Sequence, residues 1–177
     1  MGRDAGLLDI AGAGRAEADA YRAGDDRPLG GYVVVMLVYA ALVATAGAAA
    51  AVTGRTLPRE LRIQDIAMMA MGTHKLARTV SKDAVTSPRR APFTRYADHG
   101  GPAEVMEEVR KPSGLRHSIG ELVSCPFCLD VWVVTAFTVG HVFAPRPTRL
   151  VAAAAAALTG ADFLQLAYAR AQRIAEG

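Results

Sequence analysis

Tyr32 to Val52 carries no charged side chain across a length that spans a hydrocarbon core, and two further runs of the same kind follow it. Leu122 to Phe143 contains only Asp130 among charged residues, and Leu150 to Ala169 contains only Asp162. At roughly 1.5 Å per residue, each run covers a hydrocarbon core of about 30 Å. Buried helices of soluble domains keep a polar face, and these runs leave no room for one. Three strong spans therefore dominate what the chain can become.

The remaining apolar stretch, Ile63 to Leu76, is shorter and contains Asp65 and His74. Such a segment is either re-entrant or a short crossing. Charge decides between the two. If it crosses, Arg15, Arg22 and Arg27, the connection with Lys82, Arg89, Arg90, Arg95, Arg110, Lys111 and Arg116, and Arg173 all fall on one side. Arg55, Arg59, Arg62, Arg146 and Arg149 fall on the other. Positive charge collects in the cytoplasm, so the distribution predicts four crossings with both termini inside. The expected fold is all-α, a membrane helical bundle of four transmembrane helices, the second short, with a cytoplasmic loop.

This pattern divides the chain into a disordered tail (1–31), two membrane helices (32–76), a basic cytoplasmic loop (77–117), two more membrane helices (118–170) and a short tail (171–177). Acidic residues such as Asp4, Asp9 and Glu17 precede the first span, unlike the cationic start of a signal peptide, so that span is read as a retained anchor. Ala40, Ala44 and Ala48 give it a small-residue seam for another helix. The formal charge of +3 is modest and its basic residues flank apolar spans, which argues for membrane topology over nucleic-acid binding. Richness in arginine and alanine suits a bacterial genome of high GC content.

In the loop, Arg89, Arg90, Phe93, Arg95 and Tyr96 interleave cations with aromatics, a pattern suited to anionic lipid head groups or to packing on the helix ends. Ala103 to Val109 is expected to form a short acidic helix. Beyond the loop, Ser118 and Glu121 fit a capping box. Pro126 predicts a break and restart, with Ser124 as the new cap. Pro145 and Pro147 end the third span.

The polar groups of the predicted bundle gather near its cytoplasmic end: His74, Lys75, Cys125, Cys128, Asp130 and Asp162. Ionisable groups inside a membrane are functional candidates because burial in hydrocarbon costs about 2.5 to 3.5 kcal/mol on insertion scales. Asp162 or Asp130 is expected to pair with Lys75, His74 or an arginine, either to fix packing or to serve a small transporter centred on Asp162. Cys125-Pro126-Phe127-Cys128 admits three readings. It is a redox pair at a helix start, half of a metal site completed by His74, His117 or a second protomer, or two small structural residues. No cofactor is predicted apart from the metal ion of the second reading. The leading expectation is a non-enzymatic membrane or assembly component, in contact with the lipid bilayer and with a protein partner or further copies of itself.

Finally, His74-Lys75-Leu76-Ala77-Arg78, Lys82-Asp83, Thr86-Ser87-Pro88, Arg90-Ala91-Pro92-Phe93-Thr94, Gly120-Glu121-Leu122 and Cys125-Pro126-Phe127-Cys128-Leu129 with Trp132 form a recognisable set. The set resembles a bacterial family of small integral membrane proteins, the domain of unknown function numbered thirteen-sixty, which includes sporulation-associated members. The resemblance covers roughly Ile63 to Tyr168. It implies a membrane location and supplies no activity. Asp130 stands where many members carry glycine, which argues against a family-wide role for that carboxylate.

Overall fold

The computed structural model describes residues 2–25, 27–110 and 114–177, and the side chains from residue 12 onward. Met1 and Asp26 of the predicted tail, and Lys111 to Ser113 of the predicted loop, lie outside the described residues. The chain is mostly helical. In order it forms α1 (Gly2–Arg22), α2 (Leu29–Val52), α3 (Ile63–Ser81), a 3-10 turn (Ala84–Thr86), α4 (Ser87–Arg90), β1 (Thr94–His99), β2 (Val105–Val109), α5 (Leu115–Ser124), α6 (Pro126–Phe143) and α7 (Pro145–Ala175). The all-α expectation holds for the architecture as a whole, which carries one small two-stranded antiparallel sheet besides its helices. The tail read as disordered is helical as α1, with Arg22 paired to Asp19 one turn earlier at 2.6 Å.

Three helices, α2, α6 and α7, are long and apolar enough to cross a membrane. α3 is not among them. It is a continuous helix of 19 residues without a reversal; α6 and α7 pack against it, while α2 packs on α5 and α6. Asp65 near its start meets Arg149 near the start of α7, and Lys75 further on meets Asp162 further along α7, so the two helices run in the same direction. Leu76 and Val133 pack on one core while Gly72 faces Phe137 on the preceding turn of α3 and the next of α6, so α6 runs opposite to α3. The core is Met69 on α3, Phe137 on α6 and Ala152 on α7, joined by Met68, Leu76 and Val133.

Small residues set how closely these helices approach. A Cβ on Gly72 would stand 3.2 Å from the Ala152 carbonyl oxygen and 3.3 Å from the Phe137 ring. Ala152, Ala155, Ala156 and Thr159 are the buried face of α7, and the Thr159 hydroxyl donates to the Met71 carbonyl at 2.8 Å. A small-residue interface with a hydroxyl crossing it is how helices associate where lipid removes the hydrophobic drive. The seam therefore lies on α7, whereas Ala40, Ala44 and Ala48 of α2 are exposed.

The basic loop is a folded unit. β1 pairs with β2 from Thr94↔Val109 to His99↔Val105, with a bulge between Tyr96 and Asp98. The acidic helix expected at Ala103 to Val109 is thus strand β2. Val105, Glu107 and Val109 alternate inward while Met106 and Glu108 face out, which is the period of a strand. Gly120 of α5 lies against this hairpin, with Val109 and the Phe93 carbonyl where a side chain would stand.

Helix boundaries moved for local reasons. α5 begins after Gly114, whose φ of 91° suits glycine, and Ser118 is buried in its middle, where its hydroxyl faces the Gly114 and Pro28 carbonyls. The predicted capping box is therefore not formed. Pro126 does break the helix, but the cap of α6 is Cys125, whose sulfur accepts from the Cys128 amide at 3.3 Å. Ser124 donates back to the Gly120 carbonyl instead. α7 starts at Pro145, before Leu150, because prolines are tolerated in a first turn whose amides lack partners.

Candidate functional site

One end of the bundle gathers the start of α2, the end of α3, the hairpin, α5 and the start of α6. Most sequence-predicted site residues lie here, held by three separate polar clusters.

The first cluster is the only extensively buried ion pair among the described residues. Arg90 and Glu107 have side chains 1% and 6% exposed, and the guanidinium Nε donates to Glu107 Oε2 at 2.7 Å. Its remaining donors reach the Val80 carbonyl at 2.7 Å, the Thr86 hydroxyl at 2.6 Å, the Asp83 carbonyl at 3.0 Å and Glu107 Oε1 at 3.1 Å. Thr94 donates its hydroxyl to the same carboxylate at 3.0 Å. Arg90 therefore does not face lipid head groups. A planar fork of donors fills one pocket that ties the end of α3, α4 and both strands together. Arg78 repeats the device nearer the surface, with Nε 2.9 Å from Glu104.

The second cluster centres on Glu121. Its carboxylate accepts from the Tyr32 hydroxyl, lies 3.4 Å from Arg27 and has His117 Nε2 at 3.5 Å. It joins the start of α2 to α5. The His117 side chain is only 19% exposed. Sequence reading assigned Glu121 to a cap and missed this role. Tyr32 and His117, each able to meet a carboxylate at a helix start, were the available signals.

The third cluster lies between α3 and α7. Lys75 Nζ donates to Asp162 at 2.7 Å, and His74 stacks on Phe163 with ring centroids 6.4 Å apart. Asp130 forms no such pair: its Oδ1 is buried without a hydrogen-bond partner. At the opposite end of the bundle, Arg149 grips buried Asp65 through two bonds of 3.0 Å. His141 there is buried and bonds its own Phe137 carbonyl at 2.9 Å.

Cys125 and Cys128 are both free and their sulfurs stand 2.7 Å apart, with Cys128 exposed. Among the described residues no three histidine, cysteine or acidic side chains converge as a metal site would need. His74 faces Phe163, so a metal held by the two thiols would take its other ligands from outside this set. An apolar groove of about 330 Å³ opens between α3, α6 and α7, lined chiefly by Leu76, Val133, Phe137, Pro147 and Val151. Asp162 is not part of its lining.

Residues 68–168 match the model of a protein family described as a protein of unknown function, DUF1360. The chain belongs to this family. The matched segment runs from α3 through the hairpin to α7, so the family's common part contains all three polar clusters apart from Arg27 and Tyr32. No curated protein and no solved structure matches the chain at a significant level. Membership accordingly supplies no activity.

Proposed function

We propose that the chain is a four-span protein of the bacterial cell membrane, with both termini and the hairpin in the cytoplasm, acting as a non-enzymatic membrane or assembly component. Support for the fourth span comes from α3 running alongside α7 in the same direction, paired to it at Asp65–Arg149 and at Lys75–Asp162. A helix of 19 residues covers about 28 Å. Asp65 and Lys75 of this helix are paired to α7 and Arg78 to Glu104 just before β2, which suits a helix held by its polar residues within a bundle. The arginine excess at the hairpin end supports the orientation.

The observation that carries the assembly reading is the hairpin locked to the end of α3 by Arg90 and Glu107. Glu104, Glu107, Glu121, Asp65 and Asp162 are all engaged in pairs that hold elements together. Such a unit presents a fixed surface beside the bilayer. Exposed Arg89 and Arg116 are suited to anionic head groups, each contributing about 1 kcal/mol near the surface, while a protein partner or a second copy of the chain would dock on the hairpin. Crosslinking in native membranes tests this. The expected result is one discrete species larger than the 18.6 kDa chain, weakened by Arg89→Glu together with Tyr96→Ala. A chain that stays monomeric at every crosslinker length contradicts it.

A further inference from the structure

We infer that Cys125 and Cys128 form a reversible dithiol that exchanges with a disulfide substrate at the inner membrane surface, Cys125 acting as the attacking thiol and Cys128 as the resolving one. The inference rests on the pair of sulfurs, 2.7 Å apart, and on the unequal surroundings of the two. Cys125 is the cap of α6, and its sulfur accepts from the Cys128 amide at 3.3 Å. The S–H of Cys128 points to the same sulfur. Cys125 thus stands at the start of an 18-residue helix with two donors directed at its sulfur, the place from which a thiol of this turn would attack. Cys128 receives no comparable donor.

Spacing permits closure. Residues three apart across a helix start bring their Cα atoms within the roughly 4.4 to 6.8 Å that a disulfide bridges. Pro126 fixes this turn and removes an amide that would otherwise need a partner there. Cys125 is half-buried, while Cys128 and Phe127 beside it are exposed, Phe127 at 83%, so a substrate reaches the Cys125 sulfur from the Cys128 side. An apolar ring beside the thiols at the membrane boundary suits a substrate that approaches along the bilayer surface.

The exchange balances without a further reagent. The Cys125 thiolate attacks one sulfur of the substrate disulfide, forming a mixed disulfide and releasing one substrate thiolate, which takes a proton from water. Cys128 loses its proton to solvent and attacks the Cys125 sulfur, closing the internal disulfide and releasing the second substrate thiolate. The pair is oxidised by two electrons and the substrate is reduced by the same two.

The test uses the full chain in nanodiscs with glutathione disulfide as the probe, followed by maleimide labelling and intact mass. Wild type is expected to lose both reactive thiols and two hydrogens and to retain no adduct. Cys128→Ser should trap a glutathione adduct at Cys125, and should do so at least about tenfold faster than Cys125→Ser traps one at Cys128. Wild type that keeps both thiols, or that stops at the adduct, would overturn the dithiol. Equal trapping by the two serine variants would overturn the division of roles. The wild-type measurement stands whether or not either variant folds.

Discussion

α2 and α3 sit in the same bundle and obey opposite rules. The most apolar stretch of α2 has no buried residue, and Val33, Leu37 and Leu42 all face outward. α3 is too polar to qualify as a span by composition, yet it buries Asp65, Met69, Gly72, Thr73, Ala77 and Ser81. In water this arrangement would be inside out. In lipid it is expected, because hydrocarbon accepts apolar side chains freely and leaves small and polar residues to join helices. Apolar content therefore reports which helix touches lipid, and burial reports which helix holds the bundle together.

The largest effect should come from the end of α3. Glu107→Ala leaves the Arg90 guanidinium buried and uncompensated, and is expected to destabilise the hairpin by about 3 to 5 kcal/mol. Limited proteolysis of the detergent-solubilised protein would report this as early cleavage between Lys82 and Arg110. Replacing both partners with Arg90→Met and Glu107→Leu should recover most of the loss. A Glu107→Ala protein as resistant as wild type would mean that the hairpin does not depend on α3.

A glycine comparison sharpens the contrast between the helices. Gly72→Leu on α3 must displace Ala152 or Phe137 and is expected to cost about 1 to 3 kcal/mol in thermal unfolding. Gly47→Leu on α2, with nothing within 4 Å of its Cβ position, should change stability by no more than about 0.5 kcal/mol. Equal effects would erase the distinction.

These two helices also show what was legible from residues alone. Length and the absence of charge exposed α2, α6 and α7, because a span needs only an unbroken apolar run. α3 was visible mainly through the distribution of arginines, since its period of buried residues mixes Asp65 and Thr73 with Met69. Within the site, the Lys75–Asp162 pair follows from the cost of isolated charge in hydrocarbon. The hairpin stayed hidden because Glu107 faces inward and its partner Arg90 comes from α4. A buried carboxylate in a strand looks like the polar face of a helix until its partner is known. The Glu121 cluster was hidden for a related reason: Arg27 and Tyr32 lie some ninety positions away in the chain.

A smaller effect is expected at Lys75 and Asp162, whose side chains are 21% and 48% exposed. Lys75→Met leaves the Asp162 carboxylate without its partner and should lower stability, and adding Asp162→Asn should recover part of the loss. A double-mutant cycle measured by thermal unfolding in one detergent would show the coupling. The smallest effect on stability belongs to lipid-facing positions: Leu37→Cys should be neutral and react with a probe dissolved in the bilayer. Met69→Cys should not react, because it is 6% exposed. Reversal of these two reactivities would invert the lipid-facing and central assignments.

The most direct measurement asks whether α3 crosses the membrane. In a chain with Cys125 and Cys128 replaced by serine, single cysteines are introduced by Glu60→Cys before α3 and by Val85→Cys after it, both at exposed positions. Intact cells are treated with a membrane-impermeant maleimide. Four crossings predict that the cysteine at position 60 reacts from outside while that at 85 reacts only once the membrane is opened. Labelling of both positions from the same side would contradict α3 as a span.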